Sequence, residues 1–279
     1  MTATAVSSEN YLTTPEAAAS GVTIEIGDVP VRLESDNDDF RRMMEERYSG
    51  FVNSGSPPAY RFRVSIESPS EPSDDDARVW KQGRTWIFER GDFRAEWNAA
   101  CRRGSIRQSL NPYSADTVLR IVHSLVLAEQ GGFLLHAASA VRNGRAFLFT
   151  GISGAGKTTI SRLAPPDAPV LTDEISYVRP AASGYHAYGT PFAGELARVG
   201  ANLSAPVAAL YFLEKGPTNC FEPIEKIAAA RSLLRNILFF AHDEELVKRV
   251  FDAALGFVSR VPVTRLVFTP DERVWNLIA

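Results

Sequence analysis

The pattern of apolar and polar positions changes period several times along the chain. From Gly21, "GVTIEIGDVPVRLES" sets apolar residues at alternate positions, the period of a half-buried strand. "SDNDDFRRMMEERYSG" shifts to a helical spacing, with Ser35 or Asp36 as cap, acids in the first turn and Gly50 as stop. "AYRFRVSIES" alternates again, and the acidic "PSEPSDDDAR" reads as a solvated loop. From Arg78 to Leu110 short alternating runs are broken by glycines, as in a strand meander. Residues 21–110 therefore read as a smaller N-terminal α+β domain, an antiparallel sheet with one or two helices. Residues 1–20, rich in Ser, Thr and Ala, read as a disordered tail.

At Asn111 the period becomes helical. Asn111 and Pro112 suit a cap and a first helical position. Leu119, Val122 and Val126 share one face, and Gly131 ends the helix. The domain join is expected near this helix, and His123, set among its apolar residues, is read as structural. Beyond it strands and helices alternate, the mark of an α/β unit over 111–279. Strands are predicted at 133–141, 145–150, 169–178, 207–214 and 262–269, and helices at 156–164, 222–239 and 243–258. Asn143-Gly144 favours a two-residue hairpin turn between the first two of these strands. That hairpin leads straight into a glycine-rich loop, an unusual entry, because such loops generally follow a strand of a parallel sheet.

Composition narrows the function classes. The 279 residues are 45% hydrophobic and 23% charged, ordinary for a globular protein of one large or two smaller domains. A net charge of −3 argues against a general nucleic-acid footprint. No apolar run has the length of a membrane span, and the first residues lack a basic segment followed by an apolar core. Cys101 and Cys220 are the only cysteines and lie far apart, so neither a disulfide framework nor a zinc site is expected; both are read as filler in apolar or half-buried positions. A cytoplasmic protein with no nucleic-acid or membrane partner fits these features.

The loop "GISGAGKT" satisfies G-x-x-x-x-G-K-[ST] with Gly151, Gly156, Lys157 and Thr158. Glycines let the backbone approach phosphate oxygens closely, and the amide N–H groups from Gly154 to Thr159 can turn inward on the anion. The following helix would aim its positive end at the same place. Lys157 supplies a mobile charge for the β and γ phosphates, and the Thr158 hydroxyl suits Mg²⁺. The expected nucleotide contacts are Gly151, Ser153, Gly154, Ala155, Gly156, Lys157, Thr158 and Thr159. Neither an Asn-Lys-x-Asp nor a Leu-Ser-Gly-Gly sequence occurs, which argues against a translation-type GTPase or a transporter ATPase.

A phosphate loop needs a metal partner and, in a kinase, a base for the incoming hydroxyl. "VLTDE" supplies Asp173 and Glu174 at a predicted strand end, where ligands of open α/β sheets bind. One of the two can serve magnesium and the other can take a proton. Glu195, in the Gly/Pro loop "YGTPFAGE", is a further metal-side candidate, or a plain exposed glutamate. His136 sits on the first strand of the hairpin, His186 in an expected loop, and His242 at an expected helix start.

"LLHAASAVRNGRAFLFTGISGAGKTT", then "VLTDE", then "GTPFAGE" resemble the catalytic domain of HPr kinase/phosphorylase, and more closely the HPr-kinase-like proteins of unassigned or peptide-modifying role. The likeness spans about residues 130 to 270. It implies a P-loop kinase domain of the HPr kinase/phosphoenolpyruvate carboxykinase type, whose loop is entered through an antiparallel arrangement. It also implies roles. Lys157 and Thr158 match the phosphate lysine and the magnesium hydroxyl, and Asp173 the aspartate that takes the proton from the substrate serine. Glu174 falls where the family has a second aspartate, His136 where a histidine contacts the acid pair, and Glu195 at the metal-binding glutamate. The glutamate of an Ile-Arg-Gly signature is missing and the basic loop for phosphorolysis has no clear counterpart, so the likeness alone implies neither HPr as acceptor nor the reverse reaction. The expected activity is ATP- and Mg²⁺-dependent transfer to a hydroxyl, a Ser or Thr of a peptide or small protein. A small-molecule alcohol kinase and a non-catalytic nucleotide-binding regulatory module are the alternatives. Related kinases assemble, so a homo-oligomer is compatible.

Overall fold

The computed structural model describes residues 20–53, 55–67, 76–194 and 199–278. The expected tail, most of the acidic loop and Glu195 lie outside the described residues. The fold is mixed α/β, with two sheets. The first holds β1 (Gly21–Ile26), β2 (Val29–Glu34), β3 (Tyr60–Ile66), β4 (Arg78–Gln82), β5 (Thr85–Arg90), β6 (Phe93–Asn98) and β7 (Arg103–Gln108), in the order β1-β2-β3-β7-β6-β5-β4. It is not wholly antiparallel: β3 runs parallel to both β2 and β7. The crossover through α1 (Asp38–Arg47) forces the first of these pairings, because a parallel neighbour cannot be reached by a tight turn. The cap of α1 is Asn37, not Ser35 or Asp36; its Oδ1 accepts the Phe40 N–H at 2.8 Å. Five cap-competent residues, Ser35 to Asp39, stand in a row here, and the one three positions before an inward-facing Phe40 wins.

The second half opens with α2 (Pro112–Glu129), capped by Asn111 Oδ1 on the Ser114 N–H. Then follow β8 (Phe133–Arg142), β9 (Arg145–Thr150), α3 (Lys157–Arg162), β10 (Val170–Thr172), β11 (Ile175–Ala181), β12 (Gly184–Tyr188), β13 (Ser204–Lys215), β14 (Cys220–Pro223), α4 (Lys226–Asn236), β15 (Ile237–Leu238), α5 (Glu244–Arg260), β16 (Val263–Phe268) and a 3-10 turn, Glu272–Leu277. Asn143 and Gly144 both take positive φ, 51° and 72°, and close the β8–β9 hairpin with Arg142 opposite Arg145. On its other side β9 runs parallel to β13, and β13 parallel to β16. The loop after β9 is thus entered from a strand that is antiparallel to one neighbour and parallel to the other. Phe147 and Phe149 face α3 and the C-terminal Trp275, while Ala146 and Leu148 face the core under α4 and α5, so helices cover both faces.

Three expectations here are corrected. The run 169–178 is two strands, β10 and β11, divided by Asp173-Glu174. The helix expected over 222–239 is shorter, because Cys220–Pro223 pairs with β16 and Ile237-Leu238 with β8. "GYHAY" is a strand, not a loop, returning along β11. Of the cysteines, Cys220 is half-buried, but Cys101 is exposed in the β6–β7 turn, where the chain must reverse and no apolar neighbour covers it.

The change of period at Asn111 marks a helix that serves both sheets. Leu119, Val122 and Val126 of α2 belong to one apolar core with Phe62, Phe88 and Trp97 of the first sheet and Leu134, Ile175 and Tyr177 of the second. His123 is fully buried there, edge-on to the Tyr177 ring at 5.6 Å. Burial lowers its pKa to about 3, so it is neutral at physiological pH. No helix among the described residues is long and apolar enough to cross a membrane.

Candidate functional site

One strand gathers the site. The first part of β8 pairs with β11, ending at His136 opposite Ile175, and the second part pairs with β9 and β10, starting at Ala137 opposite Thr150. At this change of partner the Asp173-Glu174 dipeptide bridges β10 and β11, and the glycine loop leaves β9. The Ala137 N–H donates to the Glu174 carbonyl at 3.0 Å, and the Thr150 hydroxyl donates to the His136 carbonyl at 2.8 Å. His136, the acids and the loop, separated in sequence, are thereby fastened to two consecutive residues of β8.

The loop wraps through a turn in which the Ala155 N–H donates to the Ile152 carbonyl at 3.1 Å, leaving Ile152, Ser153 and Gly154 exposed. Gly154 and Gly156 take φ of +77° and +114°. A Cβ on Gly156 would stand 2.6 Å from the Phe268 ring, which is itself buried at the end of β16. Gly156→Ala is therefore expected to cost about 2 kcal/mol or more, from left-handed backbone strain and overpacking together. Chemical denaturation would check this, and a loss within about 0.5 kcal/mol would contradict it. Lys157 opens α3 and is 8% exposed; its Nζ donates to the Gly151 carbonyl at 3.3 Å, so the ammonium is folded back over the loop. Thr158 and Thr159 follow on the first turn, both half-buried.

The acids are held by their own backbone and by a glycine. The Thr172 hydroxyl accepts the N–H groups of Glu174 and Ile175, each at 3.2 Å, which fixes the turn between β10 and β11. Asp173 is 3% exposed, and its Oδ1 accepts the Gly194 N–H at 3.0 Å. A Cβ on Gly194 would lie 2.8 Å from Glu174 Oε2 and 3.0 Å from Asp173 Oδ2, so both carboxylates face the same small residue. His136 Nε2 lies 3.3 Å from Glu174 Oε1. The hydrogen bond from His136 holds the Glu174 carboxyl below its ordinary range against the opposing effect of burial, and the charges of His136, Lys157 and Arg120 add to it. The resemblance-based contact between His136 and the acid pair is thus present, and it falls on Glu174.

Two contributors carry little signal in the sequence. Gly194 carried no signal beyond its place in a Gly/Pro loop. Arg120 comes from α2, far upstream; a cation in the mostly apolar stretch "VLRIVHSLVL" is its only trace. Its guanidinium stacks 5.1 Å above the Phe192 ring, in the loop that carries Gly194, and its Nε is buried without a hydrogen-bond partner among the described residues. His186 lies on β12 opposite Arg179 and Pro206, and His242 precedes Asp243, the actual cap of α5.

The Thr158 hydroxyl and the Glu174 carboxylate are hard oxygen donors of the kind that could hold Mg²⁺. Among the described residues no three His, Cys, Asp or Glu side chains form a metal-holding group. In comparison with known families, residues 114–279 match the family model described as SynChlorMet cassette protein ScmC. The search of curated proteins found no match.

Proposed function

The chain belongs to the ScmC family of SynChlorMet cassette proteins, and from the geometry of its site we propose that it is an ATP- and Mg²⁺-dependent kinase of the HPr-kinase-like type, acting on a Ser or Thr hydroxyl of a peptide or small protein. The observation that carries the reading is the meeting of the glycine loop, its Lys157 and the Asp173-Glu174 pair at one point of β8. In this reading the loop amides and Lys157 hold the β and γ phosphates. Asp173, fixed by Gly194, accepts the proton of the attacking hydroxyl, whose oxygen forms the new bond to phosphorus as the ADP oxygen leaves. His136 fixes the rotamer of Glu174. Mg²⁺ held by Thr158 and Glu174 would neutralise charge on the phosphate oxygens. We place the protein in the cytoplasm, where ATP is available and its unpaired cysteines stay reduced.

The direct test is transfer of labelled phosphate from ATP to peptides and proteins encoded in the same cassette. Binding is tested separately. Mg-ATP at 100 times its dissociation constant adds about 2.7 kcal/mol to stability, a rise in Tm of roughly 5–10 °C. Lys157→Ala is expected to erase most of that rise while leaving the unliganded protein folded. An equal rise in both proteins would refute the assignment of the loop.

A further inference from the structure

A groove of about 650 Å³ runs from the C-terminal end of α3 to Asp173. Part of its wall is apolar and stiff: Pro165, Pro166 and Pro169 have fixed φ, and Val199 stands 38% exposed. Its two charges are unlike. Asp173 lines it with 3% of its surface exposed, and Arg162, exposed, is paired with no described residue. We propose that this groove binds the acceptor as an extended peptide, with its Ser or Thr hydroxyl at Asp173 and an acidic side chain at Arg162.

The reasoning is one of complementarity. A small alcohol would need polar groups clustered around the base, whereas seven of the twelve residues that line this groove are proline, valine or alanine, suited to the side chains of a longer ligand. The proline walls keep the groove open before binding, so little ordering is required of the protein. The charges also fix a direction. An acidic residue beside Asp173 would be repelled, and the same residue at Arg162 would gain a charge-assisted hydrogen bond. The role given to Asp173 rests on the kinase reading; the charge preference of the groove does not.

The test uses the full chain and short fluorescent peptides with one serine flanked by glutamates, lysines or alanines. Anisotropy measures binding without turnover. The glutamate peptide is expected to bind at least about 10-fold tighter than the lysine peptide. Arg162→Ala should remove the preference and Arg162→Glu reverse it, with the Mg-ATP rise in Tm as a check that the loop is intact. Equal binding of all three peptides, no binding of any, or an unchanged preference in Arg162→Glu would overturn the proposal. A chain that binds with the expected preference but transfers no phosphate would keep the groove and lose the kinase reading.

Discussion

Asp173→Asn is expected to transfer phosphate at least about 100-fold more slowly than the wild type while binding Mg-ATP within a few-fold, because loss of a general base commonly costs about 10² to 10⁴ in rate. The substitution is a clean one. Asp173 is 3% exposed and accepts the Gly194 N–H through Oδ1, a bond that an asparagine carbonyl can also accept. The side-chain shape and the Gly194 bond can survive while the charge and the basicity go. The neighbouring positions supply contrast. Glu174→Gln should weaken the magnesium dependence. His136→Ala should give an intermediate loss, because Glu174 then loses the partner 3.3 Å away that fixes it. Single-turnover rates and ATP dissociation constants for the three variants decide the matter. Normal transfer by Asp173→Asn with an inactive Glu174→Gln would reverse the two roles, and no effect of either would place the base elsewhere.

What the sequence reveals of this site is local, and what it hides is long-range. The glycine loop is legible because its chemistry is written in eight consecutive residues, and the hairpin because Asn143-Gly144 favours positive φ. The acids are legible as a pair, yet the run around them reads as one strand; only the pairing of β10 and β11 with different parts of β8 shows that Asp173-Glu174 occupy the gap. β14 and β15 were hidden for the same reason. Cys220–Pro223 and Ile237-Leu238 border a helical pattern and become strands because partners far along the chain accept their hydrogen bonds. Arg120 is the clearest case. Its helix is legible from Asn111 to Gly131, but nothing in that helix says which loop its guanidinium will reach.

The helix that carries Arg120 also holds the two halves together, and the largest effect on stability is expected one turn earlier, at Asp116→Ala. Asp116 is 3% exposed and accepts two hydrogen bonds from Arg47 Nε, at 3.0 and 3.1 Å, with further bonds from the Arg47 Nη2 and the Tyr48 hydroxyl. Tyr48 is fully buried, and burial raises its pKa, so its hydroxyl stays neutral and needs an acceptor. Removing the carboxylate strands that hydroxyl and leaves a largely covered guanidinium unpaired at the α1–α2 contact. Breaking a buried pair from one side costs about 3–5 kcal/mol, and Arg47 is partly exposed, so the lower end, about 3 kcal/mol, is expected in urea denaturation. Asp116→Asn should lose less, since its carbonyl can still accept from Tyr48. A loss under about 1 kcal/mol for the alanine variant would mean that this cluster is not a tie between the helices. Native-state hydrogen exchange reads the consequence for the fold. Because α2 shares one core with both sheets, protection in β6 and in β9 should fall together in Asp116→Ala. If β6 exchanges freely while β9 keeps its protection, the two sheets are separate cooperative units and α2 belongs with the second.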